Sequence, residues 1–181
     1  IIINHLYGRG GLSKNKKIKA IITTTIDVRN TNRNIIFEIK DLSKNYDKLE
    51  VLDSVNLILL RNSKIAFVGQ NGQGKTTLAK IINSEINYNG SLKIGHNVQI
   101  GYFAQNQADY LDDNKTVLQT MEDSATEKNR SKVRDILGSF LFRGSEVDKY
   151  VKVLSGGERN RLALAKLLLL PFNVLIMDEP T

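Results

Sequence analysis

Nine consecutive residues have the types and the spacing of a phosphate-binding loop. Residues 69–77 read G-Q-N-G-Q-G-K-T-T and fit the pattern G-x-x-x-x-G-K-[ST]. Glycines let the backbone turn its N–H groups towards a phosphate, at the positive end of the helix that follows. Lys75 would then reach the β- and γ-phosphates of a nucleotide, and the Thr76 hydroxyl would hold Mg²⁺. The sequence therefore predicts a nucleotide site formed by Gly69, Gln70, Asn71, Gly72, Gln73, Gly74, Lys75, Thr76 and Thr77.

Two carboxylates follow an apolar run near the end of the sequence. Residues 174–177 are all apolar, and Asp178 and Glu179 come directly after them. A buried parallel strand with acids at its C-terminal end is where ligands bind in open α/β sheets. Asp178 is placed to hold Mg²⁺ directly or through water, and Glu179 is the candidate general base for an attacking water. The alternative is a pair of surface carboxylates at a strand end.

Two consecutive glycines stand at the start of a predicted helix that is apolar nearly all round and is therefore expected to be buried. Ser155 suits a helix N-cap, and Glu158 three residues later completes a capping box. The cap does not explain Gly156 and Gly157, each of which costs about 1 kcal/mol inside a helix. A first turn without side chains exposes its N–H groups to an anion. We therefore expect a second phosphate site at these four residues.

Two further residues carry weaker signals. Tyr46 lies in a polar segment before the predicted loop, where its ring could stack on a purine or could simply be a half-buried tyrosine between strands. Gln105 follows a predicted strand directly, a place that is ordinarily on the surface. Neither residue indicates a site by itself.

The elements that must position these residues alternate between strands and helices. Short strands are predicted at 35–39, 55–60, 64–68, 91–94, 98–103 and 173–177, and a helix begins near Thr76. Residues 42–47 read as a polar turn, and residues 116–141 read as helical, with Gly138 and Gly144 as breaks. The predicted class is α/β, with an N-terminal antiparallel β portion, a parallel sheet core and a small helical subdomain at about 108–153.

Length and charge divide the chain into one domain, 35–181, and a basic arm, 1–34. Residues 1–33 carry seven Lys and Arg against one acid, a net charge of +6, which leaves +1 for the rest of the 181-residue chain. Such an arm suits contact with a polyanion such as RNA, but a solvated linker explains its lysines equally well. Apart from a possible strand at 18–26, the arm has no sustained helical or strand periodicity of apolar residues.

Several function classes are excluded by composition. The chain has no cysteine and only two separated histidines, His5 and His96, which argues against disulfides, thiolate chemistry and a zinc cluster. No apolar run approaches the roughly 18 residues of a membrane span, and no clean signal peptide is present. We therefore expect a cytoplasmic protein.

Taken in order, G-Q-N-G-Q-G-K-T-T, Gln105 after a strand, L-S-G-G-E and V-L-I-M-D-E-P-T resemble the motif set of an ATP-binding cassette ATPase. The resemblance runs from about Ile35 to Thr181, and other phosphate-loop enzymes lack the L-S-G-G-E element. G-Y-F-A-Q at 101–105 and L-S-G-G-E-R-N-R-L are similar to the F-type subfamily, and the spacing resembles its second cassette. Members of that subfamily have two cassettes in one chain, lack membrane domains and act on ribosomes in translation or antibiotic resistance.

The resemblance implies a P-loop NTPase cassette that uses ATP and Mg²⁺. Tyr46 would stack on adenine, Gln105 would sense Mg²⁺ and the attacking water, and Asp178 would support the metal while Glu179 polarises that water. Four residues would face ATP bound to a second cassette: Ser155, Gly156, Gly157 and Glu158. The ribosome and its RNA would be the further partner, and residues 1–34 would be the end of an interdomain linker.

The resemblance also predicts a cassette that is C-terminally incomplete. The sequence stops at Thr181, before the family's partner-facing loop and switch histidine, and His5 and His96 are in the wrong places to substitute. The 181-residue chain alone is therefore expected to bind ATP weakly and not to turn it over. Two alternatives stay open: the nucleotide-binding subunit of a transporter, and a non-hydrolytic ATP-binding switch or fragment.

Overall fold

The computed structural model describes residues 2–5, 19–22 and 35–179. These residues form eight strands: β1 (Ile2–His5), β2 (Lys19–Ile22), β3 (Ile35–Tyr46), β4 (Leu49–Leu60), β5 (Ile65–Gly69), β6 (Asn89–Ile94), β7 (Ile100–Phe103) and β8 (Val174–Asp178). The same residues form four α-helices: α1 (Lys75–Ile82), α2 (Val117–Glu122), α3 (Val133–Ser139) and α4 (Gly156–Leu167). Short 3₁₀ turns lie at Gln107–Tyr110, Arg130–Lys132, Gly144–Asp148 and Val151–Val153.

The strands form two sheets. A three-stranded sheet has the order β4-β3-β6 and is antiparallel, and a five-stranded sheet has the order β2-β5-β1-β8-β7. In the larger sheet β1 pairs in parallel with both β5 and β8, and β2 pairs antiparallel with β5. An antiparallel portion and a parallel sheet with helices confirm the predicted α/β class.

The long hairpin of β3 and β4 corrects one prediction. Residues 42–47 do not form a polar turn, because β3 continues to Tyr46 and the chain reverses at Asp47 and Lys48. Leu42 is fully buried and pairs with Val55, which keeps this polar stretch in the sheet. Register shifts along the pairing absorb the irregular pattern of side chains, as β-bulges do.

The segment 1–34 contributes two strands to the larger sheet. β2 lies inside the range where a strand was considered possible, whereas β1 lies where no strand was expected. A strand of four residues is too short to show a hydrophobic period in the sequence. β1 forms because it pairs with two strands that are distant in sequence. The remainder of the segment lies outside the described residues, as do Pro180 and Thr181.

The chain divides into two compact units. The first contains the described residues up to Tyr102 together with Asn173–Glu179. Its core combines the inward faces of β3, β4, β5 and β8 with the buried side of α1, and its buried members include Phe37, Leu59, Phe67, Leu78, Ile81 and Ile176. The core fixes α1 beside the ends of β5 and β8, where the predicted nucleotide residues lie.

The second unit, Phe103–Phe172, is helical. It is wider than the subdomain predicted at 108–153, because α4 belongs to it. The expected helical stretch 116–141 is divided into α2 and α3, and Gly138 lies within α3 and does not break it. Thr116 and Gln119 form a capping box at the start of α2.

Helix α4 is less buried than its apolar composition suggested. It ends at Leu167, and the leucines beyond it include Leu168 and Leu170, which are 46% and 53% exposed. Arg159 anchors the helix within the second unit by donating to Asp113 Oδ1 at 2.5 Å and to the Val151 carbonyl at 3.3 Å. Within the described segments, every helix falls short of the length and hydropathy that a bilayer crossing needs.

Candidate functional site

The predicted phosphate loop connects the end of β5 to the start of α1. Gly72 and Gly74 have φ values of +77° and +81°, a region that side chains disfavour. A Cβ on Gly74 would also lie 2.8 Å from Leu52 Cδ2 and 2.9 Å from Val51 Cγ1. The loop therefore requires glycine at residue 74 for two reasons: the backbone is left-handed there, and a Cβ would collide with β4.

Lys75 is held inside this loop. Lys75 is only 4% exposed, and its ammonium group donates to the carbonyls of Gly69 at 2.9 Å and Gln70 at 3.0 Å. The Gln73 side chain accepts the Gln70 N–H at 2.8 Å, a contact that the pattern did not predict. Helix α1 has neither a side-chain N-cap nor an acid in its first turn, so its first N–H groups can face an anion.

Asp178 joins the loop to the acidic strand. The Thr76 hydroxyl donates to Asp178 Oδ1 at 3.1 Å, although the two residues are 102 positions apart. Asp178 is the last residue of β8 and is fully buried. The structure thus brings together two of the three residues that the sequence assigned to Mg²⁺, and the part of Gln105 stays a prediction.

Tyr102 is a site residue that sequence reasoning missed. It lies on β7, and its hydroxyl donates to Asp178 Oδ2 at 3.3 Å. Burial, followed by the charge of Asp178, raises the pKa of Tyr102 far above its usual value, so the phenol stays protonated and remains a donor. Its only signal in the sequence was its place in G-Y-F-A-Q.

The residues around Asp178 fit Mg²⁺. The ion prefers octahedral oxygen ligands at about 2.0–2.1 Å, which places adjacent ligand oxygens about 2.9 Å apart. The Thr76 and Asp178 oxygens are 3.1 Å apart. Among the described residues there is no group of three or more His, Cys, Asp or Glu that could hold a metal. One carboxylate with a hydroxyl is the kind of partial site that Mg²⁺ completes with substrate phosphates and water.

Glu179 follows β8 directly and is half-buried. Its φ is +49°, a conformation that costs a residue with a side chain about 1–2 kcal/mol. Strained backbone of this kind is concentrated at functional sites. The observation agrees with a catalytic Glu179, and its role as general base stays a prediction.

Tyr46 lies at the end of β3 beside the hairpin turn and is 45% exposed. Lys44 Nζ is 5.1 Å from the centroid of its ring. The same end of the hairpin reaches the phosphate loop through Val51 and Leu52, which would contact a side chain on Gly74. Stacking of adenine on Tyr46 stays a prediction.

The four signature residues begin α4 in the second unit. Ser155 forms the predicted capping box, because Ser155 Oγ accepts the Glu158 N–H at 3.3 Å while Glu158 Oε2 accepts the Ser155 N–H at 2.8 Å. The Ser155 hydroxyl also donates to Glu158 Oε2 at 2.6 Å. These hydrogen bonds from the Ser155 side chain and backbone lower the pKa of Glu158.

No neighbour within the second unit requires glycine at the two positions after Ser155. Leaving aside the backbone of α4 itself, a Cβ on Gly156 would meet no atom of the described residues within 4 Å, and one on Gly157 would meet only Arg161 Nη1 among them, at 3.9 Å. Both glycines are exposed. Gln105 lies in the same unit, exposed in a turn that follows β7. A phosphate contact for these residues stays a prediction.

Comparison with known proteins identifies the family to which this arrangement belongs. The family model described as "ABC transporter" matches residues 52–181. The chain belongs to the ATP-binding cassette family. The cassette is similar to that of Uup from Haemophilus influenzae, an ATP-binding protein, with 43% identity over 161 residues, 86% of this chain and 25% of the relative. It is also similar to the probable ATP-binding protein YheS of the same organism, with 42% identity over 134 residues, 74% of this chain and 21% of the relative.

A plant relative carries the subfamily in its name. "ABC transporter F family member 5" of Arabidopsis thaliana is 37% identical over 155 residues, 84% of this chain and 22% of the relative. These relatives place the cassette in the F-type subfamily. The fold also matches CbiO1 of Clostridium perfringens, part of the ABC transporter complex cbiONQ, with a TM-score of 0.64 and 23% identity over 80% of this chain and 65% of that one. The chain spans about a fifth to a quarter of the length of these curated relatives.

Proposed function

We propose that this cassette binds and hydrolyses ATP with Mg²⁺ and is part of an F-type protein that acts on the ribosome, in translation regulation or antibiotic resistance. The observation that carries the ATPase proposal is the hydrogen bond between Thr76 and Asp178, which joins the phosphate loop to the acidic strand. A phosphate loop without such a carboxylate would bind a nucleotide, but the Thr76 hydroxyl would then hold the metal without a charged protein partner.

In the proposed reaction the loop 69–77 holds the triphosphate, and Lys75 moves from the loop carbonyls to the β- and γ-phosphate oxygens. Mg²⁺, held by Thr76 and Asp178, would neutralise charge that develops on the phosphates. Glu179 would accept a proton from the attacking water, which Gln105 would help to orient. Tyr46 would stack on the adenine ring.

A second cassette completes the proposed site. We expect Ser155, Gly156 and Gly157 to contact the γ-phosphate of ATP that is bound to that cassette, with Glu158 holding the serine. The open space beside Gly156 supports this role, because no side chain of the described residues fills the position of a Cβ there and a ligand can occupy it. The spacing resembles a second cassette, so the partner would be the first cassette of the same parent chain.

The proposed ribosomal role is supported by the F-type relatives and by the charge of +6 on residues 1–33. A basic segment can bind the phosphates of ribosomal RNA, and this contact would take place in the cytoplasm. A nucleotide-binding subunit of a transporter is the competing function.

Nucleotide binding is tested by titrating the 181-residue chain with mant-ATP in the presence of Mg²⁺. We expect saturable binding that Lys75→Ala weakens by at least about tenfold, since a buried cation that faces the phosphates is removed. Lys64→Ala is the matched control, because Lys64 is an exposed lysine of the same unit. Equal affinity of Lys75→Ala and the wild-type chain would contradict the nucleotide site.

The ribosomal role is tested with the full-length parent. Glu179→Gln should trap the ATP-bound state and cause salt-sensitive co-sedimentation with ribosomes, and Lys75→Ala should abolish the trapping. Failure of the trapped protein to sediment with ribosomes, together with recovery in a membrane complex, would favour the transporter subunit.

A further inference from the structure

The carboxylate of Asp178 receives two hydroxyl donors, one on each oxygen. Thr76 donates to Oδ1 at 3.1 Å, and Tyr102 donates to Oδ2 at 3.3 Å. Both donors are neutral, and no salt bridge to Asp178 is present among residues 35–179. The proposed mechanism uses Thr76 and leaves Tyr102 without a function.

A fully buried carboxylate needs such donors, because it has lost its contact with water. One donor alone would leave the second oxygen unsatisfied and would leave the carboxyl group free to rotate towards another partner. With a hydroxyl on each oxygen, the plane of the carboxylate is fixed and Oδ1 stays directed at Thr76. Tyr102 is suited to this task, since it lies on β7 in the same sheet as β8, where the five-stranded order makes the two strands neighbours.

We propose that Tyr102 is a positioning residue for Mg²⁺: through its hydrogen bond to Oδ2 it holds Asp178 in the orientation that presents Oδ1 and the Thr76 hydroxyl together. The inference rests on the proposed nucleotide function. It extends that function by giving the tyrosine of G-Y-F-A-Q a role in the metal dependence of binding. Partners that orient metal ligands in this way typically contribute about tenfold or more to metal affinity.

The test compares mant-ADP affinity in MgCl₂ with mant-ADP affinity in EDTA, for the whole 181-residue chain. The ratio of the two affinities isolates the contribution of the metal. In Tyr102→Phe we expect this ratio to fall by roughly tenfold, while the affinity in EDTA changes by less than about twofold. Tyr88→Phe is the matched control, because Tyr88 packs against the core of the same unit but makes no hydrogen bond to Asp178 in the described structure.

A double-mutant cycle separates positioning from general packing. If Tyr102 acts through Asp178, Tyr102→Phe has no further effect on the ratio once Asp178→Asn is present. Additive effects, or an equal loss of affinity in MgCl₂ and EDTA, would indicate a packing role and overturn the inference. A wild-type ratio in Tyr102→Phe would overturn it too while leaving the nucleotide site intact. Failure of the wild-type chain to bind mant-ADP at all would instead overturn the proposed function.

A second measurement does not depend on the variant folding. In the wild-type chain labelled with ¹³Cζ-tyrosine, the Tyr102 resonance should shift when MgCl₂ is added to the ADP-bound chain, because the carboxylate that it contacts engages the ion. The Tyr88 resonance should stay in place. A Tyr102 resonance that does not respond to Mg²⁺ would contradict the positioning role.

Discussion

Gly72 and Gly74 share a left-handed backbone conformation in the phosphate loop, but their surroundings differ. In the described part of the chain, nothing lies within 4 Å of the position that a Cβ on Gly72 would take, whereas a Cβ on Gly74 would lie 2.8 and 2.9 Å from side chains of β4. The motif itself requires glycine at residue 74 and allows any residue at 72. Gly72 is therefore required for its backbone conformation alone, whereas Gly74 is required for its conformation and for the space beside β4.

This difference predicts unequal losses of stability. Gly72→Ala should lower the free energy of unfolding by about 1–2 kcal/mol, the cost of a left-handed alanine. Gly74→Ala should lower it by about 2–5 kcal/mol, because overpacking against Leu52 and Val51 adds about 1–3 kcal/mol. Urea unfolding of both variants measures the two costs. Equal losses would mean that β4 can move away from the loop without cost.

At the scale of residues, the sequence identified candidate site residues where a fixed pattern dictates the chemistry. Lys75 and Thr76 follow from the loop motif, and Asp178 follows from an acid at the end of an apolar run. The structure brings Thr76 and Asp178 together as expected. Tyr102 could not be predicted, because its role depends on which strand lies next to β8, and neighbouring strands in a sheet are not encoded locally.

The two helices that begin at predicted phosphate sites start differently. Helix α1 has no side-chain cap and no acid in its first turn, whereas α4 has the Ser155–Glu158 box and an acid. An anion at α1 meets the helix dipole and the buried cation Lys75, and the nearby acid, Asp178, belongs to β8 and not to the helix. An anion at α4 would lie close to the Glu158 carboxylate. Because this carboxylate caps the helix, its charge should affect the stability of α4, and that stability should depend on pH.

We predict that the contribution of Glu158 to stability depends on pH. Its pKa is lowered in the folded chain, so the stabilisation is present above the ordinary glutamate value of about 4.3 and is lost as the pH falls through the lower folded value. The wild-type chain should therefore have a higher Tm than Glu158→Gln at pH 5 to 7, and the difference should vanish as the pH falls below about 4.

Circular dichroism of both proteins across this pH range provides the measurement. Glu127→Gln, at an exposed glutamate of the same unit, controls for general acid unfolding. A Tm difference that persists unchanged at low pH would mean that the amide and the carboxylate cap the helix equally well.

At the scale of elements, the sequence predicted what short-range chemistry determines. The capping box of α4 and the strand before the phosphate loop were both predicted correctly. The continuation of β3 to Tyr46 was not, because polar residues that resemble a turn are kept in the sheet by pairing with β4. The exposure of Leu168 likewise depends on where α4 ends, and an apolar run alone does not specify that end.

For the whole molecule, charge is segregated along the chain, with +6 on residues 1–33 and +1 on the rest. Two explanations were left open, contact with a polyanion and simple solvation of a linker. They differ in salt dependence, because only direct contact with phosphates releases counterions.

We expect direct contact, which substitution of lysines can test. Replacing Lys14, Lys16 and Lys17 by Gln should lower the slope of log K against log salt by up to about 2 for single-stranded RNA, since each contact contributes about 0.7. Fluorescence anisotropy with a labelled RNA measures the slope. The control replaces three exposed cations of the second unit, Lys128, Arg130 and Lys132, by Gln. Equal slopes in the wild-type and arm variants would favour a solvated linker.

The position of β1 has a consequence for how the chain folds. Ile3 pairs with Phe67 on one side and with Asp178 on the other, so the strand of the phosphate loop and the strand of the acid are joined through residues near the start of the chain. Closing that pairing brings together segments that are distant in sequence, and contacts of this range slow folding. During synthesis β1 cannot pair with β8 until β8 has emerged from the ribosome. The proposed metal site at Asp178 should accordingly be among the last parts of the first unit to form, after the β3–β4 hairpin and its core.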